Sequence, residues 1–139
     1  MKIRRDPLDA LMSEYVRKRG IQRVGGCERC LKQCHDIVKD DGTIYPAWKQ
    51  LQCCHFHPRR NMSVRFDPDN TQALCFGCHQ YFHENHEEHK AFTKRLLGEE
   101  QYSFLEGRMR QKGKPDRKAI KIWLQIELAK LAKGGDNGT

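Results

Sequence analysis

The first hydrophobic pattern of the chain is helical. Asp6-Pro7 is typical of a helix cap followed by its first turn, and Gly20 is typical of a helix end. Between them, apolar side chains recur every three or four residues, at Leu8, Leu11, Met12 and Tyr15. The pattern predicts an amphipathic helix within a basic N-terminal region, residues 1–24.

Helical spacing returns in the last part of the chain. It predicts one helix that follows the last cysteine and ends at Gly98, a second over about 99–112, and a third over about 115–133. Residues 134–139 are rich in glycine and polar side chains, and we expect this tail to be disordered.

The middle of the chain lacks helical spacing and favours short strands. Ile44–Trp48 and Leu51–Phe56 are predicted as two strands of one hairpin, and Thr71–Leu74 as a further short strand. Short strands between helical regions predict an α+β fold, with a core over residues 25–98 flanked by N-terminal and C-terminal helices.

Composition and charge add two constraints. Only 37% of the 139 residues are hydrophobic, so a bound metal ion would help to stabilise so thin a core. The net charge is +8, made up of +4 over residues 1–25, −2 over 26–106 and +6 over 107–139. Basic ends favour nucleic acid as the partner, since neutralised phosphates release counterions. The alternative is a basic surface that serves solubility alone.

The first residues carry no apolar run that would indicate a signal peptide, and no segment is long and apolar enough to span a membrane. We therefore expect a soluble, cytoplasmic protein without membrane contact. In a reducing compartment its seven cysteines would be metal ligands or free thiols, not disulfides.

Four cysteines form two C-x-x-C pairs, Cys27 with Cys30 and Cys75 with Cys78. Each pair presents two thiolates on one tight turn, and two distant pairs complete the tetrahedral set of a structural Zn²⁺ site. The spare thiols, any of which could replace one of these ligands, are Cys34, Cys53 and Cys54.

Histidines form a second cluster. His55 and His57 alternate at the end of a predicted strand and would share one face, while His79 and His83 lie one helical turn apart. A strand pair that faces a helix pair can converge on a single ion.

The order of these residues resembles the HNH (His-Me finger) nucleases over about residues 27–97. The segments that carry the resemblance are Cys54-His55-Phe56-His57-Pro58, Asp69-Asn70, and Leu74-Cys75 followed by Cys78-His79. A narrower likeness to the NinG/Rap phage recombination nucleases uses Leu51 to Phe56, Arg59-Arg60, Arg65-Phe66-Asp67, Asn85 and Leu97-Gly98-Glu99-Glu100 as well.

The resemblance implies a zinc-stabilised ββα-metal centre that hydrolyses DNA phosphodiester bonds, in branched recombination intermediates for the narrower group. His55 corresponds to the general base, and Asn70 to the residue that orients it by accepting its other N–H. His79 corresponds to a ligand of a catalytic divalent metal, with His83 or His57 as further ligands. Cleavage would leave 5′-phosphate and 3′-hydroxyl ends.

Two positions depart from the pattern: Cys54 from that of the wider family, and His79 from that of the narrower group, in which many sequences have Asn after the second C-x-x-C pair. Cys54 stands where the family has the metal-binding aspartate, so either Cys54 is not a ligand, or His57 or His83 fills the vacancy. The expected ion is Mg²⁺ or Mn²⁺, with Ni²⁺ or Zn²⁺ as alternatives that suit nitrogen ligands. Arg59, Arg60 and Arg65 lie between His55 and Asn70, where they would contact DNA phosphates.

Several alternatives remain open at this level. The chain would also suit a general HNH nicking or double-strand nuclease, or a non-catalytic zinc-stabilised DNA-binding module that needs no His55–Asn70 pair. An RNA-directed or protein-binding zinc module has no supporting motif. A homodimer would suit a four-way junction, because one active site cuts one strand.

Overall fold

The computed structural model describes residues 5–134. This part of the chain forms an α+β fold with five α-helices and two small antiparallel sheets, as expected. Two single turns of 3₁₀-helix, Ala47–Gln50 and Pro68–Asn70, connect the strands. In chain order the elements are α1 (Pro7–Val24), β1 (Ile37–Val38), β2 (Ile44–Tyr45), β3 (Gln52–His55), β4 (Thr71–Leu74), α2 (Phe76–Glu84), α3 (His86–Leu97), α4 (Glu99–Arg110) and α5 (Arg117–Ala132).

Helix α1 begins where the sequence predicts, because the Asp6 carboxylate accepts a hydrogen bond from the backbone N–H of Leu8 at 2.8 Å. It continues past Gly20 and ends at Gly25, which has a positive φ of 75°. Gly20 is a packing residue, since a Cβ there would lie 2.5 Å from the Cβ of Ala73. The glycine allows α1 to approach β4 closely.

The predicted pairing of Ile44–Trp48 with Leu51–Phe56 is wrong. Strand β3 pairs with β4, with His55 opposite Thr71, and β2 pairs with β1. The turn at Asp41 explains the second pairing, because its carboxylate accepts the backbone N–H of Thr43 at 2.9 Å and reverses the chain. The result is a strand–loop–strand–helix unit made of β3, residues 56–70, β4 and α2.

The helix expected to end at Gly98 is divided in two. Asn85 has φ −131° and ψ 75°, which are not helical, so α2 ends before it and α3 begins after it. The bend allows Phe82 of α2 and Phe92 of α3 to pack with ring centroids 5.3 Å apart.

One core joins α1 to the central unit and to α5, and its members include Met12, Leu74, Phe82 and Leu124. A smaller cluster packs α4 against the loop of residues 56–70, through Phe56, Val64, Tyr102 and Leu105. That loop is therefore supported by a helix as well as by the strands it connects.

No helix within residues 5–134 has the length and apolar character needed to cross a bilayer. The predicted disordered tail, residues 134–139, lies outside the described residues apart from Gly134.

Candidate metal centre and basic cleft

The two C-x-x-C pairs meet in space. Their four sulfur atoms lie within 4.8 Å of one another, and the Sγ atoms of Cys30 and Cys75 are 3.9 Å apart. Zinc–sulfur bonds of about 2.3 Å place tetrahedral thiolates about 3.8 Å apart, so the cluster suits Zn²⁺. The four residues are Cys27, Cys30, Cys75 and Cys78.

Backbone hydrogen bonds and turns position both halves of this four-cysteine cage. After α1, the N–H of Leu31 donates to the carbonyl of Cys27 at 2.9 Å, and the N–H of Cys27 donates to Lys32 at 3.1 Å. Gly26 must be a glycine, because a Cβ would lie 1.9 Å from the Lys32 carbonyl oxygen. The second pair opens α2, where Cys75 is the N-cap. The cage thus ties the end of α1 to the start of α2.

The thiols need a cation to be deprotonated together. Burial raises the pKa of Cys78 to about 12. Burial also opposes ionisation of Cys27, but hydrogen bonds from the backbone of Cys30 and Cys75 lower its pKa to about 7. Arg29 adds a positive charge, with Nη1 donating to the Cys78 sulfur at 3.4 Å. Soft thiolate ligands favour Zn²⁺ over hard cations.

The spare cysteines lie outside the four-thiol group. Burial raises the pKa of Cys53 and Cys54 to about 12, so both β3 side chains remain thiols. Cys54 faces the core, with its sulfur 3.8 Å from Nε2 of His89. Cys54 therefore does not replace the carboxylate that the HNH pattern has at this position.

His55, the last residue of β3, has a defined ring orientation. Its Nε2 lies 3.0 Å from the carbonyl oxygen of Arg65. Because a carbonyl only accepts, Nε2 carries the proton and Nδ1 keeps its lone pair. Burial lowers the pKa of His55, so the ring is neutral at pH 7. These properties suit a general base.

The expected hydrogen bond from His55 to Asn70 is wrong. Asn70 is fully buried, and its Oδ1 accepts the backbone N–H of His57 at 2.7 Å. Its Nδ2 donates to the carbonyls of His57 and Val64, at 2.9 and 3.2 Å. The amide lies between two parts of one loop, and the loop in turn supplies the carbonyl that binds His55.

An open cleft of about 660 Å³ lies beside His55. His79 and His83 of α2 line it too, so three of the predicted histidines share one cavity. Nδ1 of His79 lies 2.6 Å from Oε1 of Gln52, an acceptor, which leaves the Nε2 lone pair of His79 available. The cationic side chains along the walls are Arg5, Arg17, Arg59 and Arg60.

His57 does not belong to this cleft, and its predicted role as a metal ligand is wrong. Strand β3 ends at His55, so the strand alternation does not extend to His57. Its Nε2 lies 2.5 Å from Oε1 of Glu106, on α4. Within residues 5–134, moreover, the four thiols are the sole group of three or more potential ligands that lie within 4.8 Å of one another. The cleft histidines therefore do not form a compact three-nitrogen cage.

Arg65 is not free to contact DNA as predicted. Its Nε donates to Oδ1 of Asp9 at 3.0 Å, and its Nη2 pairs with Oδ2 of the same carboxylate. Arg59 and Arg60 are exposed at the cleft, although Nη1 of Arg59 also lies 3.3 Å from Asp9. Only these two of the three predicted arginines line the cavity.

Sequence reasoning missed the contribution of α1 to the cleft, where Asp9, Ser13 and Arg17 form one wall. Neither their residue types nor their spacing signals a site, because only the packing of α1 on β3 and β4 brings them there. No family model, curated protein or solved structure matches this chain.

Proposed function

We propose that the chain is a metal-dependent DNA endonuclease of the HNH type with a structural zinc ion. One observation carries the proposal. Within the strand–loop–strand–helix unit, His55 at the end of β3 shares a basic cleft with His79 and His83 of α2, and four thiols tie the start of α2 to the turn that follows α1. The order of these elements is the ββα order that the resemblance implies.

His55 is the proposed general base. Its Nδ1 lone pair takes a proton from the water that attacks the scissile phosphorus, while the Arg65 carbonyl holds the other ring nitrogen. His79 and His83 would hold the divalent ion. When bound, that ion would stabilise negative charge on the phosphate and on the departing 3′ oxygen. Nitrogen donors suit Mn²⁺, Ni²⁺ or Zn²⁺, and Mg²⁺ would bind mainly through water and phosphate oxygens.

DNA is the proposed substrate because the cleft combines the candidate base with cationic side chains. Arg17, Arg59 and Arg60 line it, and the whole chain carries a net charge of +8. Arginine binds phosphate through paired N–H donors. The likeness to the NinG/Rap group supports branched recombination intermediates as the substrate class.

A nicking assay tests the catalytic proposal. Supercoiled plasmid is incubated with Mn²⁺, then with Mg²⁺, using the wild type, His55→Ala and the control His35→Ala, which changes an exposed histidine. We expect His55→Ala to lower the cleavage rate by about 100- to 10,000-fold with nearly unchanged DNA affinity. Binding by all three proteins without nicking by any would indicate a non-catalytic zinc-stabilised DNA-binding module.

A second experiment tests the substrate class. Linear duplex, fork, D-loop and four-way junction are compared at one salt concentration, because affinity for DNA depends steeply on salt. Preferential cleavage of branched DNA supports the narrower proposal. Equal cleavage of all four would favour a general nicking or double-strand nuclease.

A further inference from the structure

One acidic side chain lies on the wall of the basic cleft. Asp9 of α1 lines the same cavity as His55, yet it is only 7% exposed. A buried carboxylate is costly unless it is paired and hydrogen-bonded. The general-base chemistry proposed above gives Asp9 no role, so its partners indicate what it does.

Asp9 binds the guanidinium of Arg65 through both carboxylate oxygens. Nε of Arg65 donates to Oδ1 at 3.0 Å, and Nη2 donates to Oδ2. A two-point contact of this kind fixes the orientation of both side chains as well as their separation. Nη2 also lies 3.6 Å from the carboxylate of Asp6, so the beginning of α1 contacts the Arg65 side chain twice.

The backbone of Arg65 is the part that meets the candidate base. Its carbonyl oxygen accepts the Nε2 proton of His55 at 3.0 Å, and this contact selects the tautomer with a free Nδ1. Arg65 belongs to the loop between β3 and β4, where no strand ladder holds its carbonyl. A side chain fixed to α1 therefore restricts a backbone group that the sheet leaves unrestrained.

We propose that Asp9 is a positioning residue. Through Arg65 it holds the carbonyl that keeps His55 in the Nε2–H tautomer, with Nδ1 available to accept a proton. The consequence for cleavage depends on the proposed nuclease function, but the effect on the His55 ring does not. Helix α1, which lies outside the strand–loop–strand–helix unit, thus contributes to the geometry of the candidate base.

Nitrogen-15 NMR of the histidine rings in zinc-loaded protein tests the effect on the tautomer directly. The His55 signals are assigned with His55→Ala, then compared between wild type, Asp9→Asn and the control Glu14→Gln, which removes a carboxylate from an ion pair with Lys18 on the same helix. We expect one Nε2–H tautomer in wild type and control, and a mixture of both tautomers in Asp9→Asn. An unchanged tautomer in Asp9→Asn would overturn the proposal.

Should Asp9→Asn fail to melt cooperatively, Arg65→Gln answers the same question. It removes the two-point contact while leaving the Arg65 backbone carbonyl in the chain. A mixture of tautomers in this variant supports the proposal, and a single Nε2–H tautomer in a folded Arg65→Gln protein contradicts it.

Kinetics separate a positioning role from a direct one. We expect Asp9→Asn to lower kcat by up to about 100-fold with little change in KM, the size of effect that a small misplacement of a catalytic group can produce. The double variant Asp9→Asn/Arg65→Gln should be no slower than the slower single variant, because both changes break one linkage. Effects that multiply would show that Asp9 acts independently of Arg65, for example through its contact of 3.3 Å with Nη1 of Arg59 or as a metal ligand, and would refute the linkage. If the wild type does not cleave DNA, the nuclease proposal fails while the tautomer measurement still decides the role of Asp9.

Discussion

A single buried amide organises the loop between β3 and β4. Asn70 makes three hydrogen bonds to the backbone of His57 and Val64, which lie well apart along the loop. Its Oδ1 accepts one hydrogen bond and its Nδ2 donates two. An isosteric carboxylate has no N–H donor, so it would lose the two hydrogen bonds to the carbonyls. Asn70 therefore supports the site through the loop backbone.

We expect Asn70→Ala to lower the free energy of unfolding by roughly 3 kcal/mol, because it leaves the backbone N–H and carbonyl of His57 without this partner and removes one of the two hydrogen bonds to the Val64 carbonyl. Urea denaturation of the zinc-loaded protein measures this change. Asn61→Ala is the matched control, since the side chain of Asn61, in the same loop, is only half-buried. An equal decrease in the free energy of unfolding in the two variants would mean that water replaces the hydrogen bonds of the Asn70 amide.

The pKa of His55 predicts how cleavage depends on pH. Burial disfavours the imidazolium, so the ring stays neutral below the ordinary histidine pKa of 6.5. As the pH falls, kcat/KM should therefore decline with a midpoint below 6.5, since the protonated ring cannot accept a proton. A profile of kcat/KM against pH checks this, and a midpoint above 6.5 would contradict a buried, neutral base.

At residue scale, the sequence predicts which residues lie in the same site more accurately than it predicts which of their atoms are in contact. Helical spacing places His79 and His83 on one side of α2, and both line the cleft with His55. The path of the loop after β3 turns His57 towards Glu106, and sequence spacing contains no information about that path.

Among the elements, the turn that carries the first cysteine pair is the most constrained. The backbone of Gly26 passes so close to Lys32 that a single methyl group would collide with its carbonyl. Closure of this turn brings Cys27 and Cys30 into the arrangement that meets α2. The geometry of the four-cysteine cluster therefore depends on a residue that is not one of the four cysteines.

Gly26→Ala should weaken zinc binding and lower the melting temperature, because the turn must open to relieve the collision with Lys32. The matched control is Gly77→Ala, near the second cysteine pair, where an added Cβ meets nothing within 4 Å. Zinc competition with a chromogenic chelator and thermal melts measure both effects. Similar zinc affinity in the two variants would show that the turn adapts without cost.

The helices were easier to predict than the strands. The Asp6 cap and regular apolar spacing act locally, so the bounds of α1, α4 and α5 differ from prediction by a few residues. Strand partners depend on longer-range packing, and the pairing of β3 with β4 buries all four residues of Thr71–Leu74. Of the segment Ile44–Trp48, only Ile44 and Tyr45 form a strand, which pairs with β1, and neither residue is buried.

Over the whole molecule, charge is distributed less simply than the sequence suggests. The basic N-terminal region reaches the cleft through Arg5 and Arg17. On α5, Lys118 and Lys121 line a separate pocket of about 230 Å³ beside Leu8 and Leu11. A region can thus be basic in sequence without facing the candidate site.

We expect Arg60→Ala to weaken DNA binding and to reduce the slope of log K against log salt by about 1, as for the loss of one phosphate contact. The measurement uses the His55→Ala background, so that DNA stays intact. Lys90→Ala is the control, because it removes one exposed charge from α3, outside the residues that line the cleft. Equal slopes for the two variants would argue against DNA in the cleft.

The ribbon formed by β1 and β2 has a practical use. Ile37, Val38 and Ile44 are more than half exposed, and a Cβ added at Gly42, in the turn between the two strands, would meet nothing within 4 Å. Exposed turns of this kind tolerate inserted sequence. A short epitope or a fluorescent reporter grafted between Asp41 and Gly42 would break the Asp41–Thr43 contact of this turn, but it should leave one zinc per chain by elemental analysis, because neither strand of the ribbon belongs to the core.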